Sequence, residues 1–317
     1  GIKKIRSGNC NFGIQAISYL SNKKLKDIQT SDLSFLIAPK INAAGRLDDM
    51  TVGIKCLVSN NKNEAERYAK QLLIFNEQRK LVENEMKDDA LAILNNYIVE
   101  DSYTISLYNT DWHQGVIGIV ASRLKEKYYR PTIIFAKDDS GLLKGSGRSI
   151  PSFHLKDALD LVSKENPDLI LTFGGHAMAA GLTIKEGNLK IFCSEFEAIA
   201  NKLLSLDDLN LIIEFDKSIP KECFNQETIR AMNSQVWGQG FPAPVFYDVF
   251  DVVKHEIVAN KHSKCTLKNE HGEYDAILFN FSGELADRIE ATYSIEINEF
   301  NYKPSIQLII KSQNEKK

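Results

Sequence analysis

The sequence is short of paired cysteines. Its five (Cys10, Cys56, Cys193, Cys223, Cys265) are scattered, odd in number and free of any CxxC spacing. Buried or half-exposed thiols in a reducing cytoplasm are the expectation. There is no apolar run of ~18 residues and no basic-then-apolar stretch of the signal type, so neither a membrane span nor an export signal is expected. Positive charge is not in excess: 39 Lys and Arg face 42 Asp and Glu, a formal net charge of -3. A generic polycation is excluded, and any contact with nucleic acid must come from local basic patches. No internal repeat occurs, and the only low-complexity stretch is the polar tail Ser312 to Lys317. Gly1-Ile2-Lys3-Lys4-Ile5-Arg6 reads like the inside of a helix without an initiator Met, which suggests a piece of a longer protein.

What is present is an ordinary folded composition, 43% hydrophobic and 26% charged in 317 residues, enough for two domains and a small third. Residues 1–60 read as short helices around the loop Ile37 to Leu47, where Pro39 interrupts any helix. Residues 61–99 hold a long helical pattern without Gly or Pro, more than a compact domain requires, and so a link between two lobes. Residues 100–205 alternate strands and helices. The strands are Thr104 to Tyr108, Thr132 to Phe135, Leu142 to Ser149 and Leu169 to Phe173; the helices are Gly115 to Lys127, Ser152 to Ser163 and Asn188 to Leu204. Residues 206–317 carry short strand-like runs: Leu211 to Phe215, Val245 to Val253, Ile257 to Ala259, Lys264 to Lys268, Tyr274 to Phe279, Tyr293 to Ile297 and Ser305 to Ile310. Glu270-His271-Gly272-Glu273 is a credible hairpin turn, and the set suggests a small barrel with the OB-fold leading. The fold class is therefore α/β plus β.

Three segments carry chemistry. In Thr172-Phe173-Gly174-Gly175-His176-Ala177-Met178-Ala179-Ala180-Gly181, paired glycines after a strand let backbone approach a ligand. A helix packs behind them on the small residues, and His176 can donate to a phosphate oxygen. A packing-driven turn with a satisfied histidine explains it equally. In Lys144-Gly145-Ser146-Gly147-Arg148-Ser149, an arginine flanked by hydroxyls is a plausible phosphate clamp, because its fork is bidentate; a flexible hairpin end is the plain alternative. In Asn42-Ala43-Ala44-Gly45-Arg46-Leu47-Asp48-Asp49, Arg46 can face a phosphate while Asp48 and Asp49 pair with it or bind metal; a surface turn fits as well.

In order and context, these segments resemble the RecJ-like single-strand-specific exonucleases of the DHH phosphoesterase superfamily. The resemblance also takes in Asn76-Glu77-Gln78-Arg79, Trp112 to Leu124, Gly238-Gln239-Gly240-Phe241-Pro242 and Glu296 to Phe300. It implies a helical remnant of the DHH domain (1–60), a connecting helix (61–99), a DHH-associated substrate-binding domain (100–205) and a C-terminal OB-fold (206–317). It further implies a parent enzyme that removes nucleotides from the 5′ end of single-stranded DNA in repair and recombination, using manganese or magnesium. No Asp-His-His and no DxDxxG run is present, so catalytic and metal ligands are expected to lie outside this chain, leaving it inactive alone.

The resemblance implies that Arg46, Ser146, Gly147, Arg148, Ser149, Gly174, Gly175 and His176 hold phosphates. His113, Lys254, Lys261, His262 and Lys264, joined by Lys268, are possible DNA contacts, and an ordinary solvated face explains the lysines equally. Trp112 reads as core, whereas Trp237 and Phe241 either stack on bases or plug the barrel end. Expected partners are single-stranded DNA, single-strand-binding protein and a recombination helicase, in the cytoplasm. Alternatives are a non-enzymatic single-strand-binding module and another DHH phosphoesterase such as an oligoribonuclease; the latter lack an OB-like tail and this long helix.

Overall fold

The computed structural model describes residues 1–95, 101–238, 240–298 and 304–315. Gln239, Glu299, Phe300, Lys316 and Lys317, parts of three segments singled out above, lie outside the described residues. The chain divides into two compact units, with the boundary between Leu211 and Ile212.

The chain begins with helices α1 (Ile2–Arg6), α2 (Phe12–Leu20), α3 (Thr30–Asp32), α4 (Ala38–Leu47) and α5 (Thr51–Val58). Residues Ile37 to Leu47 are thus no loop. Pro39 stands in the first turn of α4, which follows without a break on the π-helical turn Leu33–Ile37. Helix α6 (Lys62–Leu94) runs 33 residues, about 50 Å, and serves two cores. Ala65, Ala69 and Leu72 are fully buried in its first half, which packs on α2, α4 and α5. Met86, Ala90 and Leu94 join a cluster with helix α7 (Ile117–Tyr128) and strand β1 (Ile105–Tyr108).

The remaining elements of the first unit are β2 (Thr132–Lys137), β3 (Leu142–Arg148), α8 (Leu155–Glu165), β4 (Thr172–Gly175), β5 (Ala179–Lys185) and α9 (Leu189–Leu203). The sheet order is β1-β2-β3-β5-β4, parallel only between β1 and β2. One expectation fails here. The first strand of the terminal hairpin starts at Thr172 rather than Leu169, because Leu169 and Ile170 bury in the core beside α8 and α9. Alanine and glycine favour neither state strongly, and the ladder from β3 captures Ala179 to Gly181 as part of strand β5.

One face of the sheet is fully covered: Ile133, Phe135, Leu143, Leu182 and Ile184 bury against Leu159, Val162, Phe192 and Phe196 of α8 and α9. The other is covered by α7 at its β1–β2 end, where Ile134 and Ala136 meet Val120, Ala121 and Leu124, and the start of α7 also reaches Ser146 and Arg148 of β3. Beyond that it lies open, with Gly181 of β5 and Gly174 of β4 exposed.

The second unit contains helix α10 (Gln226–Ser234) and a closed barrel of β6 (Phe246–Val258), β7 (His262–Asn269), β8 (Gly272–Leu278), β9 (Arg288–Asn298) and β10 (Ser305–Glu315), ordered β10-β8-β7-β6-β9. The first strand pairs with both the second and the fourth, and the third runs parallel to the fifth, the closure of an OB-fold. The expected runs Val245 to Val253 and Ile257 to Ala259 are one bulged strand, β6. Leu211 to Phe215 is not a strand; Ile212 and Phe215 are exposed. The polar stretch from Ser312 is the end of β10 through Glu315, paired with β9.

Candidate nucleic-acid interface

The open face follows from the two-residue period of a strand. Along β3, burial alternates so that Leu143, Gly145 and Gly147 point to the covered side while Lys144, Ser146 and Arg148 point to the open side. The two glycines therefore make room for the core rather than for a ligand. A Cβ on Gly145 would sit 2.5 Å from Leu182 and 2.6 Å from Phe135, and one on Gly147 would sit 2.7 Å from Leu155. Gly147, expected among the phosphate contacts, thus turns to the covered side of the sheet. Ser149, expected there too, turns inward: it is 1% exposed and its Oγ donates to the Phe153 carbonyl at 2.6 Å.

Across the ladder, Ser146 pairs with Gly181 and Arg148 with Ala179, and Gly181 pairs in turn with Gly174. A Cβ on Gly174 would touch nothing within 4 Å, and one on Gly181 only the Gly145 carbonyl at 3.8 Å. This stretch of sheet is thus bare backbone, accessible to a ligand. Gly175 serves the backbone instead. Its φ of +147° makes the turn, and a Cβ there would lie 2.4 Å from the Ala179 carbonyl. His176 is exposed at that turn, its N–H donating to Ala179 at 2.8 Å, and Ser149 and Leu155 tie the turn down through Met178 and Ala177.

Helix α7 delivers its first turn beside this face. It has no side-chain N-cap, so no capping side chain satisfies the first N–H groups of the helix. A Cβ on Gly118 would meet Ser146 Oγ at 2.8 Å and Arg148 Nη2 at 2.9 Å, so only glycine lets β3 approach this closely. Arg148 Nη1 donates to the Gly147 carbonyl at 2.7 Å and to Ser146 Oγ at 3.3 Å. Arg46, from α4, donates to the Gly115 carbonyl at 3.0 Å, and a Cβ on Gly115 would overlap the Arg46 carbonyl at 1.9 Å. The structure therefore brings Arg46, Ser146, Arg148 and the start of α7 together. His113 instead accepts from the Gly115 N–H at 3.0 Å, and Trp112 is buried in the core. Asp49 accepts from the Thr51 N–H at 2.9 Å, and the Thr51 hydroxyl, then that N–H, holds its carboxyl below the usual range. It serves the start of α5, not a metal.

The electrostatics are lopsided. Burial, then the neighbouring Arg79, pulls the Arg46 guanidinium down from its ordinary value; burial, then Arg46, does the same to Arg148. Neither has a carboxylate within ion-pair distance among the described residues. Like charges held close together near a protein surface repel one another, and an anion relieves that cost. Arg79 belongs to the cluster although it was not singled out for a role from the sequence. It is paired with Glu83 and reaches Asn76 at 3.2 Å. Gly118 was passed over too, although a glycine inside a helical pattern asks for a packing reason. Guanidiniums, a hydroxyl and glycines do not suit a divalent cation, and no group of three or more His, Cys, Asp or Glu poised for a metal occurs among the described residues.

The barrel answers differently. Residues 212–317 contain 12 Lys and Arg against 16 Asp and Glu. Lys254 pairs with Glu256 at 3.2 Å and Lys268 approaches Glu273 at 3.7 Å; Lys264 stands across from Glu256 and Thr266 from Asp275. Lys254, Lys264 and Lys268 thus each have an acidic residue beside or across from them. His262 accepts from the Asn280 N–H at 2.9 Å and sets its edge on Phe279, leaving Lys261 exposed at the β6–β7 turn. Trp237 lies against Phe241, ring centroids 5.0 Å apart, and donates to the Met232 carbonyl at 3.0 Å.

Comparison with known proteins agrees with this geometry. Residues 84–202 match the DHHA1 domain and residues 215–312 the RecJ OB domain. The chain is 40% identical to the single-stranded-DNA-specific exonuclease RecJ of Haemophilus influenzae, over 98% of this chain and 56% of that protein. The chain belongs to the RecJ family. RecJ of Escherichia coli is 36% identical over the same shares. The crystal structure of RecJ in complex with Mn2+ from Thermus thermophilus superposes with a TM-score of 0.82 at 24% identity, covering 100% of this chain and 46% of that one; that likeness shows the fold. The chain spans about half the length of the curated RecJ proteins it matches, and what it matches is the C-terminal portion of RecJ. No helix among the described residues is long and apolar enough to cross a membrane.

Proposed function

We propose that this chain is the substrate-holding part of a RecJ-type exonuclease that trims single-stranded DNA from its 5′ end during repair and recombination. The open face of β3, β5 and β4 receives the sugar–phosphate backbone. Arg148, Ser146 and Arg46 take phosphate oxygens at the start of α7, the bare Gly174–Gly181 stretch gives the strand room, and His176 borders it. Such contacts position the strand without reading its sequence. Manganese or magnesium, present in the solved RecJ structures, acts with carboxylate-bearing parts of the longer protein, because the cationic site described above repels it.

The observation that carries this reading is the pair of half-buried arginines, Arg46 and Arg148, adjacent to each other without a carboxylate partner among the described residues. In a fluorescence anisotropy titration with an oligothymidylate, Arg148→Ala weakens binding by roughly 10- to 100-fold, the worth of a charge-assisted hydrogen bond. The salt slope falls by about 0.7, one phosphate contact on a single strand. Lys254→Ala and Lys268→Ala leave both near the wild-type values. Equal losses at the barrel lysines and none at Arg148 would refute it. The same comparison speaks to the barrel-only alternative, a non-enzymatic single-strand-binding module, which predicts that reversed pattern.

A further inference from the structure

Behind the two arginines lies a buried carboxylate that the binding reading leaves unused. Glu83, on α6, has a side chain only 10% exposed, and its two oxygens hold different elements. Oε2 takes Arg79 one turn back on the same helix, and Oε1 takes Arg123 Nε of α7 at 3.1 Å. Arg79, also nine-tenths buried, gives its second Nη to Asn76, while its Nε has no hydrogen-bond partner among the described residues. Arg79 acts on Arg46 by charge, and Arg46 on Arg148. Four guanidiniums therefore stand in a chain, with Glu83 between Arg79 and Arg123 and Glu126 on the outer side of Arg123 at 3.5 Å. Without Glu83, like charges would push the chain apart, and α7 would lose an ionic tie to α6. The site depends on that placement, because the first turn of α7 must meet β3 at Gly118 and the Arg46 carbonyl at Gly115.

We propose that Glu83 is a positioning residue for the phosphate site: by holding Arg79 of α6 and Arg123 of α7 at once, it fixes α7, and with it the Gly115 carbonyl to which Arg46 donates, in the arrangement that accepts a phosphate. This rests on the phosphate reading of the open face. It makes a prediction opposite in sign to simple electrostatics. Glu83→Gln deletes a negative charge close to an anion site, so a through-space effect alone would tighten oligonucleotide binding. Loss of positioning weakens it. Glu83→Asp keeps the charge and shortens the arm by one methylene, so any loss there comes from position.

The test is an anisotropy titration of the whole 317-residue chain with oligothymidylate, alongside thermal melting to establish that each variant is folded. Glu83→Gln is expected to weaken binding about tenfold or more and Glu83→Asp to weaken it by a smaller factor. The double variant Glu83→Gln/Arg148→Ala is expected to bind no more weakly than Arg148→Ala alone, since both act on one phosphate. If Glu83→Gln unfolds, Glu83→Asp decides alone. Binding by the Glu83 variants equal to or tighter than wild type, while Arg148→Ala is impaired, overturns this inference and spares the phosphate reading. Losses that simply add in the double variant overturn it likewise. If Arg148→Ala binds like wild type, the phosphate reading falls, and this inference with it.

Discussion

At position 118 a hydrogen atom stands where any other residue would place carbon against Ser146 Oγ and Arg148 Nη2. This separates stability from binding. Alanine is a better helix former than glycine by about 1 kcal/mol, and the atoms in its way are side-chain ends rather than backbone. Gly118→Ala is therefore expected to melt within a few degrees of the wild type while binding oligothymidylate several-fold more weakly, because the guanidinium must move. Equal binding would show that Arg148 does not act from this pose. The sequence made Arg148 and Ser146 legible through residue type, since a guanidinium beside a hydroxyl suits phosphate. It did not reveal facing. Only the strand register shows that Gly147 and Ser149 turn inward and that the glycines serve Phe135, Leu155 and Leu182.

Among the elements, the long helix was legible because 33 residues without Gly or Pro leave no competing reading. The hairpin of β4 and β5 was not. Ala179-Ala180-Gly181 carries no strand signal, and what makes it a strand is pairing with β3, a contact invisible to local propensity. The turn between those strands rests on Gly175, whose φ of +147° is open only to glycine. Gly175→Ala faces that conformation and a carbonyl 2.4 Å away, so it is expected to cost at least 1–3 kcal/mol. Urea unfolding followed by circular dichroism measures this as a lower midpoint. A midpoint unchanged from the wild type would mean that the turn relaxes freely. In the barrel, Lys264 and Lys268 of the patch read from sequence lie opposite acids once β6, β7 and β8 are in register. A one-dimensional charge count cannot anticipate cross-strand pairing.

At the scale of the whole molecule, charge is divided unevenly. With residues 212–317 acidic by four, the attraction for a polyanion comes from a local cluster in the first unit, not from the chain as a body. The two domain types were legible, because the order of motifs and the number of short strands both survive in sequence. Which domain presents the cationic surface was not, because that depends on which arginines are left without carboxylates after folding. The claim that the open sheet face holds the strand is tested most directly by hydrogen–deuterium exchange of the whole chain with and without a single-stranded oligonucleotide. Protection is expected over residues 115–120, 142–148 and 172–181. Protection confined to the barrel strands, with those three segments unchanged, would contradict it.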